Sequence, residues 1–173
     1  KGKPIQSKKP HQIARMGIGF VPENMGIFSE LTVEENMQVA MLKDDIASRK
    51  RLEDVLQMFT ALKDFWGAKA GILSGGQKQM LAIARAIVNK TSLLLIDEPT
   101  KGLAPIIIDA LIEAINQIKQ HSVLLLVEQN FFMASQVGDD FYILDDGKVV
   151  HSGAMQDLVE DEELQSRYLG ITK

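Results

Sequence analysis

The strongest constraint on the fold of this chain lies at residues 73–103, where a glycine-containing helix start precedes an apolar run that ends in two acids. Ser74 and Gln77 have the S-x-x-Q spacing of a capping box, which predicts a helix that begins at Gly75. Such a start leaves backbone N–H groups free at the positive end of the helix dipole, where anions and phosphate bind. Because Gly75 and Gly76 have no Cβ, a ligand can approach the backbone closely.

The second half of this segment predicts a strand with a ligand-binding end. Residues 93–96 are Leu-Leu-Leu-Ile, which is too apolar for a surface loop and indicates a fully buried strand of a parallel sheet. Asp97 and Glu98 follow directly. Since open parallel sheets bind ligands at the carboxyl ends of their strands, both acids are candidate site residues. The structural alternative is that the acids, like Ser74 and Gln77, only cap a helix.

The rest of the chain predicts further strands and helices in alternation. From the N terminus onward we expect a strand at 17–21, a helix from the Thr32/Glu35 capping box to about residue 42, a helical stretch at 49–63, a helix beginning at Pro105, a fully buried strand at 123–127, a short helix at 131–137, a hairpin turning at 145–147, and two acidic helices at 154–169 that close the sheet.

Composition excludes several classes of protein. The formal net charge of −4 argues against a general nucleic-acid binder. The chain has no cysteine, which rules out disulfides and thiolate metal sites. No apolar run approaches the length that a membrane-spanning helix needs. The 173 residues, 46% of them hydrophobic, suffice for one domain or a large part of one.

L-S-G-G-Q at 73–77, followed about twenty residues later by four apolar residues and D-E-P-T at 97–100, resembles the nucleotide-binding domain of ABC transporters. The first element is similar to the family's signature motif and the second to its Walker B motif. The resemblance extends over nearly all of the chain and is to the ATPase subunits of branched-chain (hydrophobic) amino-acid importers and their urea-type relatives. The phrases that carry it are G-I-G-F-V-P at 17–22, L-T-V-E-E-N at 31–36, G-L-A-P at 102–105 and L-V-E-Q-N at 126–130.

The resemblance implies an α/β fold of the P-loop NTPase type (RecA-like, ABC), with a parallel-sheet core and an inserted helical subdomain. Residues 24–90 would form that subdomain with the signature motif, and residues 1–23 and 91–173 the remainder of the core. The sequence contains no G-x-x-x-x-G-K-[ST] loop. In the family this Walker A loop lies upstream of the strand at 17–21. We therefore expect a partial domain whose N-terminal part, with the nucleotide pocket and at least one core strand, is missing.

The resemblance also implies roles for individual residues. Asp97 resembles the Walker B aspartate that holds Mg²⁺ through water, and Glu98 resembles the general base that orients and polarises the attacking water. The family forms head-to-tail dimers in which each signature motif completes the site of the other subunit. The residues that would contact the γ-phosphate of an ATP held by that subunit are Ser74, Gly75, Gly76 and Gln77.

Three positions depart from the usual family pattern. Glu23 stands where most members have the Q-loop glutamine; as a hard oxygen ligand it can still bind Mg²⁺, but it adds a negative charge beside the phosphates. Gln129 stands where many members have a switch histidine, and its amide can donate to the γ-phosphate but cannot titrate near neutral pH. Ala104 replaces the usual D-loop aspartate. The last two are typical of the branched-chain amino-acid subgroup.

The function implied by the resemblance is that of an ATP-binding and ATP-hydrolysing subunit of an ABC importer, with ATP and Mg²⁺ as cofactors. Its expected partners are a second ABC ATPase subunit, identical or not, an integral-membrane permease and, indirectly, a periplasmic solute-binding protein. No nucleic acid is expected. The subunit would lie peripherally on the cytoplasmic face of the inner (plasma) membrane.

Two alternatives remain at this level. A soluble, non-transport ABC ATPase of DNA repair or translation would carry a long coiled coil or tandem domains, and no heptad run occurs here. A non-catalytic, truncated interaction module agrees with the missing P-loop.

Equilibrium ATP binding tests the importance of that loop. We expect the 173 residues alone not to bind ATP tightly, because the amides and the lysine that cradle the phosphates are absent. Micromolar affinity in a titration with a fluorescent ATP analogue would contradict this expectation.

Overall fold

Strands and helices alternate along the chain, and the strands form two separate sheets. The computed structural model describes residue 2 and residues 4–170. The strands in this part are β1 (Ile18–Val21), β2 (Leu93–Asp97), β3 (Val123–Val127), β4 (Asp140–Asp145) and β5 (Lys148–Ala154). The helices are α1 (Pro10–Ala14), α2 (Val33–Ala40), α3 (Ile46–Met58), α4 (Ala61–Asp64), α5 (Gly75–Ile87), α6 (Pro105–Lys119), α7 (Phe131–Val137), α8 (Met155–Glu160) and α9 (Glu162–Leu169), with a 3₁₀ turn at Ala70–Ile72.

The larger sheet is parallel, with the order β1-β2-β3. Its central strand is the predicted apolar run, in which Leu94 and Ile96 are 0% and 1% exposed. The register places Val21 beside Ile96 and Ile96 beside Leu126. This architecture confirms the prediction of an α/β fold built on a parallel sheet.

Helix α5 packs closely on the buried face of this sheet. A Cβ at Gly19 in β1 would lie 2.9 Å from the backbone oxygen of Ala86 in α5, so only glycine fits at this crossing. One hydrophobic core joins this face to α6 through Leu111 and Ile115, which are both fully buried. Helices α5 and α6 therefore form one layer that packs against this face of the sheet.

The prediction that residues 123–127 form a fully buried strand is wrong. β3 pairs with β2 on one side only, and alternate side chains along it are exposed. An apolar run predicts burial on both faces only when the sheet continues past the strand and helices cover both faces, which is not so here within residues 4–170. The exposed apolar side chains on this face of the sheet are Phe20 (59%), Val123 (68%), Leu125 (53%) and Val127 (54%).

The predicted hairpin is present, but the helices after it do not close the parallel sheet as expected. β4 and β5 pair only with each other, and Asp146 and Gly147 turn with φ of 47° and 71°, as a type I′ turn requires. α8 and α9 pack on this hairpin in a second, smaller core. Met155 and Leu158 of α8 are the buried helical members of that core.

Both predicted capping boxes are confirmed, at Thr32 for α2 and at Ser74 for α5. The helical stretch predicted at 49–63 is interrupted, because Phe59 leaves helical geometry with φ −113° and ψ 64° while its side chain is buried. Every element between β1 and β2 is helical, but the division of residues 24–90 into a subdomain of their own stays a prediction.

Paired substitutions on α6 test the assignment of its buried face. Ile115→Ala should lower the free energy of unfolding by about 2–5 kcal/mol, since it leaves a cavity in the core. Ile106→Ala, on the same helix but 73% exposed, is the matched control and should change it by no more than about 0.5 kcal/mol. Equal losses in urea denaturation would show that the two faces are wrongly assigned.

Candidate functional site

The parallel register gathers three loops at the carboxyl edge of the sheet. Glu23 lies two residues after Val21 of β1, and Glu98 lies two residues after Ile96, the register partner of Val21. Asp97 pairs with Val127, two residues before Gln129. With neighbouring strands about 4.8 Å apart, the structure brings together Glu23, Asp97, Glu98 and Gln129, four of the predicted site residues.

Asp97 ends β2 with an open carboxylate. The residue is half-buried, and its side chain makes no hydrogen bond or ion pair with another residue in the described part of the chain. Within that part no group of three or more acidic or histidine side chains forms a ready metal cage. Mg²⁺ is usually held by only one or two carboxylates together with substrate phosphates and water, so the open Asp97 oxygens fit this ion.

Glu98 has a strained backbone in the left-handed region, with φ of 48°. Its N–H donates to the carbonyl oxygen of Val127 over 2.8 Å, and its own carbonyl accepts from the N–H of Lys101 at 3.3 Å. Strain of this kind persists only where surrounding contacts hold it, and it concentrates at functional sites. The turn therefore sets Glu98 at a defined place directly after the strand.

Glu128 is a site residue to which the motifs assigned no role. Its carboxylate accepts from the N–H of Thr100 at 3.3 Å and from the N–H of Asn130 at 3.0 Å, which joins the loop after β2 to the start of α7. Asn130 in turn caps α7 by accepting from the N–H of Met133 at 3.1 Å. Gln129 is exposed between these two held residues, so its backbone is fixed beside the site.

Glu23 does not present a free carboxylate. The ammonium of Lys101 donates to its Oε1 at 2.5 Å, and the two side chains are 65% and 50% exposed for Lys101 and Glu23. The hydrogen bond from this ammonium to Glu23, then the charge of Glu23 and finally that of Glu98 raise the pKa of Lys101. Sequence reasoning missed Lys101 because its partner is 78 residues away.

The signature segment forms a closed capping box. The N–H of Ser74 donates to Oε1 of Gln77 at 2.9 Å, and the N–H of Gln77 donates to Oγ of Ser74 at 3.3 Å. The capping role of these two side chains is therefore present. The N–H groups of Gly75 and Gly76 bond to no other group in the described part of the chain, and they are the donors left for an anion.

The two glycines differ in what surrounds them. Gly75 is exposed, and a Cβ there would make an ordinary contact, 3.4 Å, with Leu103. Gly76 is buried, and its Cβ would lie 2.5 Å from Ile107 of α6. The missing side chain of Gly76 thus serves helix packing. The start of α5 contacts Leu103 and Ile107, which follow the acid pair in the chain. The signature and the acid pair therefore belong to one packed α/β unit.

Comparison of the sequence with known proteins agrees with the resemblance that the motifs indicate. Residues 1–101 match the family model described as ABC transporter. The "Probable branched-chain amino acid transport ATP-binding protein LivF" of Archaeoglobus fulgidus is 38% identical, and the match covers 98% of this chain and 73% of that protein. The "High-affinity branched-chain amino acid transport ATP-binding protein BraG" of Pseudomonas aeruginosa is 41% identical over 91% of this chain and 69% of that protein.

Solved structures agree with this match. The structure of an ATP-binding subunit of an ABC transporter superimposes with a TM-score of 0.74 at 29% identity, over 93% of this chain and 68% of that one. A dimeric ATP-binding cassette in a post-hydrolysis state, bound to ADP and Pi, superimposes with a TM-score of 0.72 at 24% identity, over 86% and 68% of the two chains. The second likeness concerns the fold alone.

Two glycine substitutions separate packing from ligand access at the signature. Gly76→Ala should lower the free energy of unfolding by about 1–3 kcal/mol, since its Cβ overlaps Ile107. Gly75→Ala meets only an ordinary contact and should be close to neutral. Thermal or urea unfolding measures both, and replacing Ile107 by the smaller Val should recover part of the Gly76→Ala loss. A neutral Gly76→Ala would contradict the packing argument.

Proposed function

The chain belongs to the ABC transporter family of ATP-binding proteins, and on that premise we propose that it is an ATP-hydrolysing subunit of an importer for branched-chain or other hydrophobic amino acids. The names of LivF and BraG support the class of solute. The observation that carries the chemistry is the meeting of Asp97, the strained Glu98 and Gln129 at one edge of the sheet. The comparisons support neither the soluble nor the non-catalytic alternative.

In this proposal Glu98 is the catalytic base. Its carboxylate accepts a hydrogen bond from the attacking water, and its fixed backbone keeps that water in line with the γ-phosphate. The amide of Gln129 donates to a γ-phosphate oxygen. Glu128 does not touch substrate; it holds the backbone on either side of Gln129 through Thr100 and Asn130.

Asp97 is the proposed Mg²⁺ residue, since its carboxylate is open at the strand end. When bound, Mg²⁺ supplies positive charge that offsets the charge developing on the phosphates. Asp97 would act through a water ligand, as in the Walker B motif it resembles. Glu23 was expected to join it as a second ligand for metal and nucleotide, and that role stays a prediction. In the structure its carboxylate is paired with Lys101.

The signature segment is proposed to act on the nucleotide of a second subunit. The free N–H groups of Gly75 and Gly76 would donate to the γ-phosphate across a head-to-tail dimer, while Ser74 and Gln77 keep the helix start open through their capping box. Whether the two subunits are identical does not alter the chemistry.

The phosphate-cradling loop is absent from the 173 residues, so we propose that another part of the protein supplies it. Relatives are longer, since the chain spans 73% of LivF. We propose that the segment that carries this loop packs on the exposed apolar face of the sheet, which is formed by Phe20, Val123, Leu125 and Val127. A parallel sheet is normally covered on both faces, which this segment would achieve.

We further propose that the subunit works as a peripheral component under a membrane permease. Every helix within residue 2 and residues 4–170 is too short or too polar to cross a bilayer. The surface beside the loop that carries Glu23 would receive a helix of the permease. A periplasmic solute-binding protein would take part only through that permease.

The full-length protein with Glu98→Gln tests the assignment of the base. Mg²⁺-dependent ATP hydrolysis should fall by a factor of about 10²–10⁴, the usual contribution of a general base, with ATP binding retained. Glu163→Gln, an exposed position on α9, is the matched control and should hydrolyse ATP at the wild-type rate. Unchanged turnover in Glu98→Gln would refute the assignment.

A further inference from the structure

The loop that follows β1, residues 22–31, is attached to the helical residues at its middle and at its far end, where Ser29 and Leu31 accept from the N–H groups of Gly71 and Ala70. Arg85 of α5 donates to the carbonyl oxygen of Gly26 at 2.5 Å, and its guanidinium lies 4.8 Å from the centre of the Phe28 ring. Asn36 of α2, which is fully buried, accepts from the N–H of Phe28 at 3.0 Å and donates to its carbonyl oxygen at 2.9 Å. These contacts leave the beginning of the loop, next to the site, to be held by something else.

The ion pair between Glu23 and Lys101 holds that beginning. Three further ion pairs occur in the described residues, and one of them, Glu30–Lys69, holds the far end of the same loop. The Glu23–Lys101 pair alone among the four joins two loops of the carboxyl edge. The same edge carries the carboxylates of Asp97 and Glu98. Lys101 therefore places a positive charge among these carboxylates. A bound triphosphate would add further negative charge at the same edge.

A divalent cation and the Lys101 ammonium compete for the same carboxylate. Oε1 of Glu23 accepts a hydrogen bond from the Lys101 ammonium. A metal ion bound to that oxygen would therefore be repelled by the positive charge of Lys101. Asp97 meets no such competition, because its carboxylate is unpaired within the described residues. The structure thus distinguishes two acids that sequence reasoning treated alike as metal ligands.

We propose that Lys101 is a positioning residue that keeps Glu23 away from Mg²⁺ and uses its carboxylate to tie the loop after β1 to the loop after β2. The inference rests on the proposed function for the identity of the metal. It also gives a physical account of a glutamate at a position where the family usually has a neutral glutamine, since the added charge is offset by Lys101.

The tie continues to the signature. Lys101 and Leu103 belong to one turn, in which the N–H of Leu103 donates to the carbonyl oxygen of Thr100 at 3.0 Å. Leu103 in turn lies against Gly75 at the start of α5. Direct contacts therefore connect the loop that carries Glu23 with the helix start at Gly75.

The experiment measures metal binding directly in the full-length protein. Mn²⁺ replaces Mg²⁺, a non-hydrolysable ATP analogue is present, and free Mn²⁺ is followed by electron paramagnetic resonance. Lys101→Gln should tighten Mn²⁺ binding by a factor of about two to five, the effect of one screened surface charge. Lys101→Arg keeps the cation and should bind like the wild type. Lys50→Gln, an exposed lysine of α3, is the matched control.

The double variant decides whether Lys101 acts through Glu23. Adding Glu23→Gln to Lys101→Gln should abolish the gain in Mn²⁺ affinity, because the freed carboxylate no longer exists. Hydrogen exchange of the amides at 23–26 should speed up equally in each single variant and in the pair. A gain that persists without Glu23, or wild-type Mn²⁺ binding together with wild-type exchange in Lys101→Gln, would overturn the proposal. None of these measurements requires hydrolysis, so they stand apart from the test of Glu98.

Discussion

Parallel pairing of β2 with β1 on one side and β3 on the other is the constraint on which the site depends. Three strands that run the same way end at the same edge, and their loops then meet although Glu23 and Gln129 are 106 positions apart in the chain. The packing of α5 on Gly19 fixes this helix against the sheet at short range, and the packing of Ile107 on Gly76 fixes α6 against α5. A looser contact at either glycine would let the signature start move relative to the acid pair.

Local strain and charge are concentrated where the strands end. Glu98 holds a backbone conformation that non-glycine residues rarely adopt, and a hydrogen bond to Val127 keeps it there. Around it stand further acids, of which Glu128 is occupied by backbone N–H groups and Glu23 by Lys101. Asp97 remains open. The acids at this edge therefore differ in their surroundings, although they are of one chemical type.

Sequence reasoning succeeded where the cause of a structure is local. The capping boxes at Ser74 and Thr32, the proline start of α6 and the Asp146-Gly147 turn depend on residues only a few positions apart, and all are present. It failed at β3, where the composition predicts burial but the neighbours of the strand decide it. It also attributed the openness of Gly76 to a ligand, whereas Ile107 from another helix occupies that space.

The sequence by itself determined the family, the α/β class, and the helix start and acid pair to which the proposed chemistry is assigned, because these are encoded in short runs of residues with fixed spacing. Only the tertiary structure decided which carboxylate stays open, which is paired with Lys101, and that Glu128 bridges two loops. Those outcomes depend on contacts between residues distant along the chain. Opposite charges 78 positions apart show no pattern in a sequence, and they meet only after the sheet has set its register.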